Sequence, residues 1–317
     1  MTTSLTNKNI DLSIIIVNYN TGDYLLKCLQ SIKKSTLGRY RIEVIIVDNK
    51  STDDSFNLAQ KIKSTSKINF IFKKLSKNLG FSKGNNQALK LNDSHSKYIL
   101  FLNPDTTLDS NTLSKMIRFF ETHPKVDAAT ANLILVKTGK TQPESHRGFP
   151  SPWNAFCHFF APFLPKLFPK SRLFNGYFLG HLDFSKIQKI DACVGAFLMI
   201  KREVGDHIGW WNEKYFFYGE DLDLCWQLKQ HGFQLYFYPH AKAYHYQGIS
   251  SGLINHSQKI TQAKIKTKIT AAKASTEAMR IFYRENLIDR YPQFLQPLIW
   301  TGIDFLEKYR IYKAQNT

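Results

Sequence analysis

The sequence predicts an α/β fold, a mixed and mainly parallel sheet flanked by helices with a helical C-terminal extension. Three observations carry that expectation. The apolar runs at residues 12–17 (LSIIIV), 42–47 (IEVIIV), 68–72 and 97–102 (KYILFL) lack the polar alternation of half-exposed strands and read as strands buried on both faces. Between the first two lies a stretch with Leu25, Leu29 and Ile32 on one helical face, which makes a βαβ unit. The strands end in Asn18-Tyr19-Asn20, Asp48-Asn49 and Asn103-Pro104-Asp105, polar groups of the kind that gather at one rim of such a sheet.

Taken in order, 21–23 turn the chain out of the first strand, and 51–54 can cap the helix after the second. After the third strand, residues 78–86 form a loop with Gly80 and Gly84 four apart, feeding a helix that carries Ala88 and Leu89. Small residues and Lys83 at a helix N-terminus suit a diphosphate; a plain turn is the alternative, and the pattern is neither a Walker A loop nor GxGxxG. Pro104 takes the chain out of the sheet and aims Asp105 at the rim, where it either holds a divalent cation or caps the helix of Leu113, Met116, Ile117 and Phe120. Residues 137–190, rich in aromatics, Gly and Pro and with little periodicity, read as a flap over the pocket, a membrane-facing insertion or an irregular packing layer. Residues 190–200 return to strand composition around Gly195.

An amphipathic helix then begins at Glu220, Asp221 and Asp223, behind a run of aromatics, with Leu222, Cys225 and Leu228 on one face and Gly232 past its end. Carboxylates at the mouth of an apolar pocket suggest acid or base chemistry, although first-turn helix residues are also commonly acidic. Strands at 233–238 and 241–246 follow, the second leading to His245, a structural histidine or a ligand according to its partners.

The 317 residues can bury a large core. The 43 Lys plus Arg against 25 Asp plus Glu give a net charge of +18, which attracts nucleic acid, acidic lipid or phosphorylated substrates. No RNP, KH or zinc pattern supports nucleic acid. Cys28, Cys157, Cys193 and Cys225 form no CxxC pair and read as reduced core thiols. The polar N-terminus has no signal-peptide hydrophobic region, and no apolar stretch is long enough to span a bilayer, so a cytoplasmic protein is expected. From Ser251 the tail carries 11 Lys or Arg and 5 Asp or Glu, with Ile260, Ile265 and Ile269 interleaved. It is either an amphipathic helix on an anionic membrane, at the cytoplasmic face of the plasma membrane, or a helical cover on the domain.

In order along residues 12–252, SIIIVNYN, VIIVDNKSTDDS, NLGFSKGNNQAL, YILFLNPDTTLD, VGAFLMIKREV, FFYGEDLDLCWQLKQHGF and YHYQGISSG resemble the inverting glycosyltransferases of family 2, within it the rhamnosyltransferase-like branch. Each motif is modest alone; seven in sequence are specific. The resemblance implies a GT-A fold over residues 1–250, with a Rossmann-like nucleotide half at 1–130, an acceptor half at 131–250, and 251–317 as the extension. It implies a nucleotide-diphosphate sugar donor, Mg²⁺ or Mn²⁺, and a glycan or polyprenyl-diphosphate-linked acceptor in cell-surface polysaccharide synthesis, with dTDP-rhamnose as the branch's donor. Val17 and Tyr19 would line the nucleoside pocket, Asp48 and Asn49 would bind the base, and Gly80, Lys83 and Asn85 would meet the diphosphate. Asp105 would bind the metal, with His245 beside it. Asp221 would be the catalytic base and Glu220 would meet the acceptor. Asn103 stands for the first Asp of the family's DxD. Residues 209–213 read Gly-Trp-Trp-Asn-Glu for the usual Gly-Gly-Phe-Asp-Glu, which points to Trp211 for sugar choice. The competing readings are an inactive nucleotide-sugar sensor on the same fold and a basic protein that binds membrane or nucleic acid.

Overall fold

The computed structural model describes residues 10–248 and 265–316. Strands β1 (Leu12–Asn18), β2 (Ile42–Asp48), β3 (Ile68–Lys74) and β4 (Tyr98–Leu102) pair in parallel, joined by crossovers through α1 (Tyr24–Lys33), α2 (Ser55–Gln60) and α3 (Gly80–Leu89). β1 has β2 on one side and β4 on the other. Strand order therefore reverses at β1, and the crevice beyond the ends of β1 and β4 is the natural ligand position.

The sheet continues with β5 (Thr106–Leu108), β6 (Ala128–Leu135), β7 (Gln188–Ile190), β8 (Phe197–Lys201) and β9 (Leu235–His245), in the order β3-β2-β1-β4-β8-β6-β9-β5 with β7 also on β9. β8 runs antiparallel to β4 and β6, so the expected mixed sheet is the one observed. Alternate residues of the apolar runs serve opposite faces. Ile14, Ile16, Val44, Ile46 and Leu100 join one core with Leu25 and Leu29 of α1 and Met116 and Phe120 of α4 (Thr112–Thr122). Ile15, Ile45, Ile99 and Phe101 join the other with Leu224 and Leu228 of α8 (Glu220–Gln230) and Phe282 and Tyr283 of α9 (Ile265–Asn286). Burying such a side chain contributes about 1.5–3 kcal/mol. Among the buried polar side chains of the strands, Ser13 and Glu43 hydrogen-bond each other at 2.5 Å.

Several boundaries differ from the sequence expectation. The loop expected over 78–86 is already helical from Gly80, because the Phe81 N–H donates to the Phe216 carbonyl at 2.9 Å and closes the first turn there. Gly80 has φ +80, and a Cβ on it would lie 2.5 Å from that same carbonyl oxygen, so the close approach requires glycine. The run at 190–200 splits into β7 and β8, with 191–196 passing beneath the cavity. The strands at 233–238 and 241–246 fuse into β9, whose register against β6 shifts between Ala131 and Asn132.

The aperiodic stretch holds α5 (Pro152–Ala155), a π-helical turn at Phe156–Phe160 and α6 (Phe163–Leu167). After it come α7 (Arg202–Ile208) and α8, and the chain ends in α9 and α10 (Gln296–Gln315), which pack on each other. Arg280 of α9 pairs with both Asp304 (2.7 Å) and Glu307 (2.6 Å) of α10. Ala271, Ala272 and Ala278 of α9 are buried, so one side of this helix covers the domain. Ser251, Ile260 and the 249–252 end of the last motif lie outside the described residues. Among the described residues no helix is long and apolar enough to cross a membrane, and all four cysteines are buried free thiols.

Candidate active site

A cavity of about 920 Å³ opens at the switch point. It is lined by the strand rim, with Val17, Tyr19, Asn49, Asn103 and Asp105, and by the start of α8, with Glu220 and Asp221. α9, α10 and the 137–190 stretch complete it, so the flap reading of that stretch agrees with the geometry.

The rim is built by local hydrogen bonds. Asn49 accepts from the Leu79 N–H (2.7 Å) and donates to the Gly80 carbonyl (3.0 Å), which fastens α3 to the end of β2 while leaving Asn49 on the cavity wall. Asp48 is off the cavity: it is fully buried and accepts from Asn18 Nδ2 (2.8 Å) and the Ser51 N–H (3.1 Å). Its carboxylate is occupied in shaping the turn after β2.

Asp105 and His245 meet because β5 pairs with β9 in the register Thr106 to His245. Asp105 Oδ1 lies 3.2 Å from His245 Nε2, and both side chains are at most 6 % exposed. His245 Nδ1 lies 2.8 Å from the Gln142 side-chain amide, so the ring is held between that amide and the Asp105 carboxylate. Among the described residues no three His, Cys, Asp or Glu side chains converge on one point. A cation that takes one or two protein ligands and completes its shell with diphosphate oxygens and water needs no more, so these two residues fit Mn²⁺ or Mg²⁺ arriving with a nucleotide. The helix-cap alternative for Asp105 is excluded, since α4 starts at Thr112 behind Asn111.

At the start of α8, Asp221 Oδ2 accepts from Arg147 Nη2 (3.0 Å) and the Gly195 N–H (3.3 Å), and Oδ1 accepts from the Leu222 N–H (2.8 Å). Burial works against the charge on Arg147, but the Asp221 carboxylate outweighs it and the guanidinium pKa is raised. Glu220 has no comparable support. Burial first, and then the neighbouring Asp221 charge, push its carboxyl up to about 8, and its Oε2 has no partner among the described residues. The site thus holds one carboxylate paired with an arginine beside a carboxyl that favours its proton near neutrality. Asp223 faces away, held by Tyr215 Oη (3.3 Å) and Asn286 Nδ2 (2.9 Å), which ties α8 to α9.

Besides Asp48, three more of the expected contacts are absent from the cavity wall. Lys83 is exposed on α3 and points elsewhere. Asn85 is buried and braces its own helix through the Phe81 carbonyl (3.0 Å). Gly80 does reach the wall, yet the amides expected to cradle phosphate are spent: Gly80 N–H on Asn78 Oδ1 (2.9 Å) and Phe81 N–H on Phe216. Trp211 is 2 % exposed and packs edge-on against Phe81 and Phe101, at ring separations of 5.2 and 4.8 Å, behind Gly195. Conversely, the residue types and spacings gave no signal for Arg147, Gln142, Tyr177 or Arg310. Arg147 was visible only as one of several basic residues in an aperiodic stretch.

Comparison with known proteins bears on this geometry. The family model for glycosyl transferase family 2 matches residues 13–209, ending before α8. Rhamnosyltransferase WbbL of Escherichia coli (strain K12) is 26 % identical over 238 residues, covering 74 % of this chain and 82 % of WbbL. The poly(ribitol-phosphate) beta-N-acetylglucosaminyltransferase TarS of Staphylococcus aureus is 27 % identical over 111 residues, covering 35 % of this chain and 19 % of TarS. The chain thus spans most of WbbL but under a fifth of TarS in sequence. The crystal structure of GalNAc-T7 with UDP, GalNAc and Mn²⁺ superposes with a TM-score of 0.56 at 15 % identity, covering 90 % of this chain and 59 % of that one. The fold shared with such glycosyltransferases is GT-A, a mixed and mostly parallel sheet flanked by helices.

Proposed function

The chain belongs to glycosyl transferase family 2, with relatives in cell-wall polysaccharide synthesis, and we propose that it is an inverting transferase moving a sugar from a nucleoside diphosphate to an acceptor hydroxyl. The observation that carries this reading is one cavity with Asp105–His245 on the strand rim and Glu220–Asp221 facing it. In a single displacement the acceptor hydroxyl must lose a proton as the diphosphate departs from the opposite face of the sugar. Asp221 is the proton acceptor, because it lines the cavity and Arg147 holds its carboxylate in place there. Glu220, neutral near pH 7, donates a hydrogen bond that orients the acceptor oxygen. Asp105 and His245 would hold Mg²⁺ or Mn²⁺, which supplies positive charge against the leaving diphosphate. No second acid is required, since a diphosphate leaves without protonation; glycosidases differ in this respect.

The donor half is residues 1–130 and the acceptor half 131–250, with 251–317 contributing α9 and α10 to the acceptor wall. The likeness to a rhamnosyltransferase supports a rhamnosyl donor, for which dTDP-rhamnose is our proposal, and a glycan or lipid-linked glycan is the acceptor we propose with it. Exposed Phe156, Phe160, Phe163 and Leu167, continued by Phe305 of α10 6.2 Å from Phe160, support peripheral contact with an anionic membrane through this face rather than through α9. A thermal-shift screen of nucleotide sugars with Mn²⁺, followed by assay of nucleoside diphosphate release, tests the reading. A donor should raise Tm and release its diphosphate when acceptor is added. Failure of every nucleotide sugar to do either removes the proposal.

A further inference from the structure

The aperiodic stretch reaches both the strand rim and the start of α8 through one short segment, 142–147, whose Gln142, Glu144 and Arg147 line the cavity. At its start the Gln142 side-chain amide lies 2.8 Å from His245 Nδ1, and His245 Nε2 lies 3.2 Å from Asp105. At its end Arg147 Nη2 donates to Asp221 Oδ2 at 3.0 Å. The backbone between them is held throughout. The Gln142 N–H donates to the Leu133 carbonyl of β6 (2.7 Å), and the Gln142 carbonyl accepts from both the N–H (3.0 Å) and the Oγ (2.7 Å) of Ser145. A single helical turn covers Pro143–Ser145, and the proline that opens it fixes φ there. Arg147 and Ala192 then exchange both of their backbone hydrogen bonds, at 2.9 and 2.8 Å, and the Val194 N–H donates to the Glu144 carbonyl at 2.9 Å. The chain so attached continues to Gly195, whose N–H is the second donor to Asp221 Oδ2 (3.3 Å). Gln142 is 1 % exposed and Ser145 is fully buried, so water does not compete for the bonds at this end.

We infer that residues 142–147 act as one strap that sets the cation side and the base side of the cavity together, with Gln142 as the positioning residue at its cation end. The inference rests on the transferase reading of this cavity and adds to it a mechanical link between the two sides. An imidazole that gives Nε2 to a cation keeps its proton on Nδ1, where an amide oxygen accepts it and stops the ring from turning. The Gln142 side chain alone would steady only that ring. The cross-bonded backbone extends its reach, because a shift at Gln142 is carried to Arg147 and Gly195 rather than absorbed on the way. Both donors to Asp221 Oδ2 belong to this unit. The strap and simple electrostatics make opposite demands of Arg147. Deleting a positive charge from the cavity favours a cation there by Coulomb attraction alone. A strap demands the reverse, weaker cation binding once its Arg147 end is released.

The test titrates Mn²⁺ into the full chain with dTDP, and with UDP in parallel, and measures free Mn²⁺ by electron paramagnetic resonance. Gln142→Met keeps the shape of the side chain without its amide and should weaken Mn²⁺ binding roughly tenfold to a hundredfold. Gln142→Glu keeps an acceptor at the same reach and should return the affinity to within about threefold of wild type. Arg147→Met should weaken Mn²⁺ binding about fivefold or more. The double variant should lose less than the product of the two single losses, because one unit is broken once. Gly232→Ala, strained at a left-handed glycine outside the strap, controls for lost stability and should bind Mn²⁺ as wild type does. Nucleoside diphosphate binding without metal should persist in every variant, which separates loss of the cation side from loss of the fold. Unchanged Mn²⁺ affinity in Gln142→Met overturns its positioning role. Unchanged or tighter Mn²⁺ binding in Arg147→Met, or fully multiplicative losses, shows two independent ends and overturns the strap. Wild type that takes up no Mn²⁺ with either nucleotide fails the transferase reading and the strap with it, whereas the other failures leave that reading in place.

Discussion

Arg147 and Asp221 form an ion pair of 3.0 Å at the floor of the cavity, each side chain 11 % exposed. The pair joins the aperiodic stretch to the first turn of α8, so the flap and the proposed base are positioned together. Removing either partner leaves the other charged in a mostly desolvated place. Asp221→Asn should abolish transfer while leaving nucleotide-sugar binding nearly intact, and it should also lower stability, by about 3 kcal/mol at most. Arg147→Met should cost a similar amount and slow transfer. The double variant should recover part of the stability and none of the activity. Urea unfolding beside a transfer assay decides: wild-type turnover by Asp221→Asn would rule it out as base.

Glu220 makes stability depend on pH. Its carboxyl sits at about 8 in the folded chain against an ordinary value of 4.5. Between those values the folded chain keeps a proton that the unfolded chain has lost, so stability falls as pH rises from 4.5 through about 8. The contribution is on the order of a few kcal/mol. Glu220→Gln should flatten that decline in urea unfolding measured from pH 5 to 9. An unchanged slope would mean that Glu220 is ionised in the folded chain at neutral pH.

Asp105→Asn should weaken Mn²⁺-dependent stabilisation by nucleoside diphosphate and remove most of the activity, because only His245 remains as a protein ligand on the rim. Binding of nucleoside diphosphate without metal should persist at reduced affinity. The measurement is a thermal shift with and without EDTA, read beside transfer. An EDTA-treated wild type that turns over at the full rate would retire the metal assignment.

Trp211 lies in the second core rather than on the cavity wall. Trp211→Phe should therefore lower stability by about 1–3 kcal/mol through lost packing on Phe81 and Phe101, with no change in which nucleotide sugar is used. Competition between donor sugars in a transfer assay reads this directly. Altered preference would restore the expectation drawn from the sequence.

Residues 12–105 were legible because their signals are local. Each buried strand is one apolar run, and the rim residues Asn49, Asn103 and Asp105 follow directly from where those runs end. Lys83 and Asn85 were misplaced because α3 starts at Gly80, which sends one side chain to solvent and the other into the core. The chain after the fourth strand was less legible. Arg147 reaches Asp221 across 74 residues, and Gln142 reaches His245 across 103. Neither contact leaves a periodic or motif signature, since each depends on how an irregular segment lies over a finished sheet. Trp211 shows the converse failure: its departure from the family pattern is plain in sequence, but the pattern does not state that the ring turns inward behind Gly195.

Gly219 is where the extension and the acid pair constrain each other. It precedes Glu220 with φ +82, and a Cβ there would stand 2.9 Å from Ala278 Cβ on α9. Gly232, just after α8, has φ +80 with nothing within 4 Å of such a Cβ. Alanine at both positions adopts a left-handed conformation, a strain of about 1 kcal/mol, but only at Gly219 does it also collide with a packed helix. Gly232→Ala should lower stability by that strain alone and leave transfer unchanged. Gly219→Ala should cost about 1–3 kcal/mol more, from overpacking against α9, and should slow transfer by shifting the helix start that carries Glu220 and Asp221. Urea unfolding and transfer rates of the two variants separate these effects. Equal losses at both glycines would show that α9 does not press on the acid pair in solution.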